Sequence, residues 1–191
     1  MLQATAFLLI SASLLVQNLR SPGTATQIND ADAYHVYSTV LPSEWPIKDA
    51  RAKELIILNE TRTYQMCLRP DAGSDARLEP AITNYSKLNE KPWLLYPKLV
   101  IGIPYRLIST EQLASAIGHA EWDRFYRQYP DSKGWIELSA VGFNPDKTLA
   151  VVYVGHHCGD LCGGGRFHVL EKKEGKWVPL EWKGNSCAWA S

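Results

Sequence analysis

Along this chain the spacing of apolar residues predicts helices toward the N-terminus and strands toward the C-terminus. Over residues 30–41, Ala33, Tyr37, Val40 and Leu41 recur at helical spacing, with Asn29 or Asp30 placed as N-cap and Pro42 as the stop. Residues 54–60 are apolar on both alternating faces, the pattern of a buried strand. Residues 68–80, rich in Pro, Gly, Asp and Ser, read as a loop, and a short helix is expected after Pro80 with Ile82, Tyr85 and Leu88 facing inward. Residues 93–108 are apolar but interrupted by Pro97 and Pro104, so only short or edge strands are expected there.

Ser109 and Gln112 have the spacing of a capping box. The helix they open carries Leu113 and Ile117, then Trp122, Phe125, Tyr126 and Tyr129 as one aromatic stripe, which reads as core packing. Gly118 is placed to kink or split it. Four strands follow over residues 135–143, 149–156, 166–172 and 176–182. Asn144-Pro145-Asp146-Lys147 and Glu174-Gly175 supply turns between them. Ala150–Val154 is apolar on both faces and so belongs at the sheet centre, whereas Pro179 cannot donate to a ladder and marks an edge. The fold class implied is α+β: N-terminal helices packed on a mainly antiparallel sheet with a C-terminal four-strand meander.

The first sixteen residues are apolar and uncharged, shorter than the roughly 18 needed for a spanning helix. With Gly23 and Ala25 at peptidase-favoured positions, residues 1–25 read as a signal peptide and residues 26–191 as a single α+β domain. The n-region carries no Lys or Arg, which leaves an uncleaved N-terminal membrane anchor as the alternative. Secretion, or residence in a periplasm, is therefore the expectation, with no membrane span in the mature chain. The full chain balances 20 basic against 20 acidic side chains, so no basic surplus exists to neutralise phosphates and nucleic acid is not an expected partner.

Four cysteines, Cys67, Cys158, Cys162 and Cys187, follow the leader. In an exported chain an even number points to disulfides, with three pairings open. The preferred one is Cys158–Cys162 as a local clip with Cys67–Cys187 as a long-range tie, the latter able to contribute on the order of 4 kcal/mol.

The blocks Leu138-Ser139-Ala140-Val141-Gly142-Phe143-Asn144, Ala150-Val151-Val152-Tyr153, Cys158-Gly159-Asp160-Leu161-Cys162-Gly163-Gly164-Gly165 and Gly175-Lys176-Trp177, with a Trp189-Ala190-Ser191 tail, resemble a group of uncharacterised exported bacterial proteins. The resemblance implies export and a shared fold. It transfers no catalytic residue.

Residues 156–165 concentrate the candidate chemistry. His156, His157, Cys158, Cys162 and His168 are metal-ligand types, and the Cys-x-x-x-Cys spacing suits zinc. Successive strand residues point to opposite faces, however, so His156 and His157 cannot share an ion while the strand continues. A redox dithiol would need a helix dipole or adjacent cations, and Asp160 opposes that. Ser139 with His157 or His168 and Asp160 or Asp123 lacks any nucleophile elbow, and His119 with Asp123 reads as a solvated pair. Gly163–Gly165 with Arg166 could form an anion nest, but the preferred reading is glycines supplying positive φ in a loop pressed on the sheet.

These weights favour a non-enzymatic binding or interaction module stabilised by disulfides, without a cofactor. Its ligand would be a protein, peptide or carbohydrate. The alternative is a small hydrolase or metal-dependent enzyme using His156, His157, Asp160, Arg166 and His168. Seven tryptophans and nine tyrosines exceed the needs of a small core. Trp45, Trp93, Trp182 and Trp189 fall near element ends, where a cleft would form.

Overall fold

A computed structural model describes residues 26–44, 52–118, 122–185 and 188–191. Residues 1–25, where the signal peptide is expected, lie outside these residues, as do Trp45 and His119. The fold is α+β, with a mostly antiparallel sheet as its centre.

The first helix, α1 (Ala31–Val40), is capped by Asp30, whose carboxylate accepts from the Asp32 amide at 3.0 Å. It ends in a short 3-10 turn, Leu41–Ser43, that contains Pro42. Strand β1 (Leu55–Leu58) is buried throughout because the sheet is covered on both sides. Leu55 and Ile57 pack with Tyr37, Val40 and Leu41 of the first helix and its 3-10 extension. Ile56 and Leu58 face an opposite cluster.

After β2 (Arg69–Pro70) comes α2 (Leu78–Leu88), which starts earlier than the sequence suggests. Pro80 lies within its first turn, where the missing N–H has no intrahelical partner to lose. Strand β3 (Tyr105–Ile108) is the one ladder strand within residues 93–108, and it pairs with β1 in parallel. The capping box is present, with Ser109 Oγ accepting from the Gln112 amide and the Gln112 side chain accepting from the Ser109 amide. It opens α3 (Thr110–Ile117), which Gly118 ends at a positive φ of 57°. A separate α4 (Trp122–Gln128) carries the aromatic stripe. Phe125 and Tyr129 from this region are buried against Ile56, Leu58 and Trp135, so the stripe is core.

Strand β4 (Trp135–Leu138) and the short β5 (Gly142–Phe143) both pair antiparallel with β6 (Leu149–Gly159). The expected single strand over 135–143 is divided by Ser139, whose hydroxyl accepts from the Tyr153 amide at 2.8 Å and donates to the Ala140 carbonyl. β6 then pairs with β7 (Cys162–Lys173), and β7 with β8 (Lys176–Pro179). Along β6, Ala150, Val152 and Val154 face α1, while Leu149, Val151 and Tyr153 face α2. Two small strands remain: β9 (Gly184–Asn185), which pairs with β2, and β10 (Trp189–Ala190), which pairs with β7. The sheet order is β10-β7-β6-β4-β1-β3, with β5 on β6 and β8 on β7. No helix among the described residues is long and apolar enough to cross a membrane.

Close approach fixes a glycine where α2 meets the sheet. A Cβ on Gly142 would lie 2.4 Å from Tyr85 Cβ and 2.5 Å from the Ala81 carbonyl, so only glycine lets α2 sit on β5.

Candidate functional site

The segment read as a loop is the end of a long hairpin. β6 runs on to Gly159 and β7 begins at Cys162, with Asp160 and Leu161 at the turn. The ladder continues through His156↔Gly164 and His157↔Gly163, and its register shifts between His157 and Gly159. Cys158 and Cys162 form the expected local disulfide, with their Cα atoms 5.0 Å apart. Cys67 is also disulfide-bonded, and its expected partner, Cys187, lies outside the described residues.

Because the strand continues, its alternation sends the two histidines to opposite faces. His156, 7 % exposed, is on the α1 face, with Nε2 donating to the Lys133 carbonyl at 2.6 Å. Burial, helped by nearby His157, holds its imidazole below the ordinary value against the opposing pull of the Lys133 hydrogen bond. Arg166 and His168 of β7 share this face and converge on Glu44, which follows the 3-10 turn. Arg166 Nη2 lies 2.6 Å and His168 Nε2 3.0 Å from Glu44 Oε1. The His168 contact is an ion-pair approach without an aligned hydrogen bond. Burial pushes the Glu44 carboxyl up, but the partners His168 and Arg166 outweigh it and hold it low.

On the other face, His157 joins a group that sequence reasoning missed. Its Nε2 lies 3.5 Å from Oε2 of Glu137, which is only 7 % exposed in the middle of β4. Tyr64 donates a short hydrogen bond to the same oxygen, while Arg62 Nε and the Trp135 indole N–H each reach the other at 3.5 Å. Burial alone would raise the Glu137 carboxyl. The adjacent His157 imidazole, the hydrogen bond from Tyr64 and the charge of Arg62 bring it down to about 2. The Tyr64 phenol is pushed far up by burial and by that carboxylate. The available signal was a charge inside the otherwise apolar run Trp135-Ile136-Glu137-Leu138, since such a residue must be paired.

Aromatic rings extend this face. Trp122 stacks on Trp135 at 4.9 Å, and Trp135 on His157 at 5.1 Å. His157 lies 5.3 Å from the ring of Trp189. The Trp189 indole N–H donates to Tyr153 Oη at 2.5 Å, and Tyr153 packs on Tyr64 at 3.8 Å.

The triglycine run is a correction to the sequence reading. Gly163, Gly164 and Gly165 have no positive φ; they lie inside β7. Close approach explains the outer two. A Cβ on Gly165 would fall 1.9 Å from Tyr153 Oη and 2.6 Å from Trp189 Nε1, and one on Gly163 would press the Trp189 ring at 3.1 Å. The glycines form the floor of a slot that holds an indole. Beside it opens a cleft of about 420 Å3, lined by Glu44, His156, Leu161, Arg166, Trp189 and the hairpin backbone. Leu161 and Trp189, 88 % and 38 % exposed, are apolar side chains presented at its rim.

The remaining candidates lie elsewhere. Asp160 is exposed at the hairpin tip, Asp123 is exposed on α4, and Ser139 is wholly buried. Among the described residues, no group of three or more His, Cys, Asp or Glu is placed to hold a metal ion. Trp93 lines a second cleft of about 400 Å3 with Asp30, Phe143 and Lys147, and Trp182 packs beside Leu68. No protein-family model, no curated protein and no solved structure matches this chain.

Proposed function

We propose that this chain is a non-enzymatic binding module, exported to an oxidising compartment, whose ligand engages the cleft at the Cys158–Cys162 hairpin. The carrying observation is that Leu161 and Trp189 stand exposed beside an open cleft lined also by Glu44, His156, Arg166 and the hairpin glycines. Exposed apolar side chains beside a concavity favour ligand contact over packing. The disulfide supports the oxidising compartment and ties the tip of the hairpin that presents Leu161. Peptide and carbohydrate are the ligand classes an aromatic rim suits.

The test is binding of the full chain to defined peptide and glycan arrays, repeated with Leu161→Glu. We expect a hit that the substitution abolishes while the melting temperature stays unchanged. No hit in either class, or hits indifferent to Leu161, would remove this reading. The geometry of His157 against the Glu137 carboxylate supports a second reading, hydrolysis with the imidazole as general base. Turnover of chromogenic ester, phosphate or glycoside substrates, lost in His157→Gln, would favour it.

A further inference from the structure

Residues 189–191 show what the edge of β7 beside the cleft is shaped to hold. Trp189 and Ala190 pair antiparallel with Gly165 and Gly164, and the Ser191 amide donates to the Gly163 carbonyl at 3.1 Å. This is strand addition to the edge of β7, with one anchoring side chain. The indole lies over the glycine floor, where a Cβ at residue 165 would overlap it, and its N–H reaches Tyr153 Oη.

Among the described residues the attachment consists of two ladder pairs, one further amide bond, one indole hydrogen bond and the ring contact with His157. Trp189 keeps 38 % of its surface in solvent, and Ala190 and Ser191 are exposed. With the tail in place, about 420 Å3 of cleft still opens beside it toward Leu161 and Arg166.

We propose that the edge of β7 at Gly163–Gly165 is a peptide-docking groove, that it takes an extended segment bearing a tryptophan followed by a small residue, and that the chain's own Trp189–Ser191 tail is its resident occupant. The inference rests on the binding-module reading and names the ligand class. Backbone pairing supplies attachment and the indole slot supplies selection, the usual division of labour in strand addition. The occupant in trans is a different protein rather than a second copy. An identical tail makes the same contacts as the resident one but lacks its tethering, so it is outcompeted by the high effective concentration of the attached tail. A segment of different sequence that also fills the cleft beside Leu161 gains contacts that residues 189–191 do not make.

The experiment uses the full chain with Trp189→Ala, which empties the slot, and a fluorescein-labelled Gly-Ala-Trp-Ala-Ser peptide followed by anisotropy. We expect saturable binding to the variant and binding about ten-fold or more weaker to the unsubstituted chain, where the tethered tail competes. A Gly-Ala-Ala-Ala-Ser peptide should not bind. Trp189→Glu serves as a second emptied form should the alanine variant unfold, with thermal unfolding as the check on both. Absence of saturable binding to either folded variant would overturn the proposal, and so would equal affinity for the variant and the unsubstituted chain. Dimers with exchanged tails, detected by sedimentation and cross-linking, would also overturn it in favour of a second copy. Array ligands that depend on Leu161 alongside a failed peptide titration would leave the binding module standing and remove only this groove.

Discussion

Glu137 and His157 face one another because the β4–β6 register sets Trp135 opposite His157 and Glu137 opposite Gly155. With no side chain at residue 155, the imidazole and the Tyr64 phenol can both close on the carboxylate. Glu137 is thereby buried yet ionised, held by several partners at once. A buried charge of this kind stabilises only while every partner is present.

That arrangement ties stability to acid pH. The Glu137 carboxyl is depressed from its ordinary value near 4.5 to about 2. Its contribution is complete above pH 4.5 and is lost as pH falls from there toward 2. The loss should be on the order of 3 kcal/mol. Urea unfolding at a series of pH values would measure it, and Glu137→Gln should be less stable at neutral pH with a shallower acid slope. An unchanged slope would mean that the carboxylate is not paired in this way.

His156 adds a second window at higher pH. Its folded-state value lies below 6.5, so the unfolded chain takes up a proton before the folded chain does. Stability therefore falls as pH drops below about 6.5, until the folded-state value is passed. NMR titration should place the His156 midpoint below 6.5, with the neutral ring protonated on Nε2, as donation to the Lys133 carbonyl requires.

Loss of the hairpin clip should be mild. Cys158 and Cys162 are four residues apart, so their bond closes a small loop that the β6–β7 ladder already holds together. Replacing both by serine should cost about 2 kcal/mol or less, read from urea unfolding, and leave the sheet intact. A collapse of the fold would show that the disulfide, rather than the ladder, organises this end.

Gly142→Ala should be costly despite its small size. The added methyl meets the Ala81 carbonyl and Tyr85 Cβ inside 2.6 Å, so α2 must shift outward from β5. We expect a loss of about 2 kcal/mol or more in thermal or urea unfolding. A loss below about 0.5 kcal/mol would mean that the helix slides at little cost.

Much of the frame was legible in local pattern. The caps at Asp30 and Ser109, the split at Gly118, the central strand at Ala150–Val154 and the edge at Pro179 each follow from a signal within a few residues. So did the parity argument that separates His156 from His157. The candidate site was legible only at its hairpin. Glu44 reaches Arg166 and His168 across more than a hundred residues, and Tyr64 reaches Glu137 across more than seventy. Such pairings carry no periodicity of their own.

The sequence by itself determined most of the helices and the central strands, which cysteines lie close enough for a local clip, and the balance of 20 basic against 20 acidic side chains. These depend on interactions between near neighbours and on composition. Tertiary structure decided that β3 and β4 both flank β1 in parallel, that the triglycine run is strand rather than loop, and that Trp189 lies upon it. The physical reason is that a glycine carries no mark of why it is needed. Positive φ and close approach select the same residue, and only the position of Trp189 and Tyr153 over Gly165 separates the two.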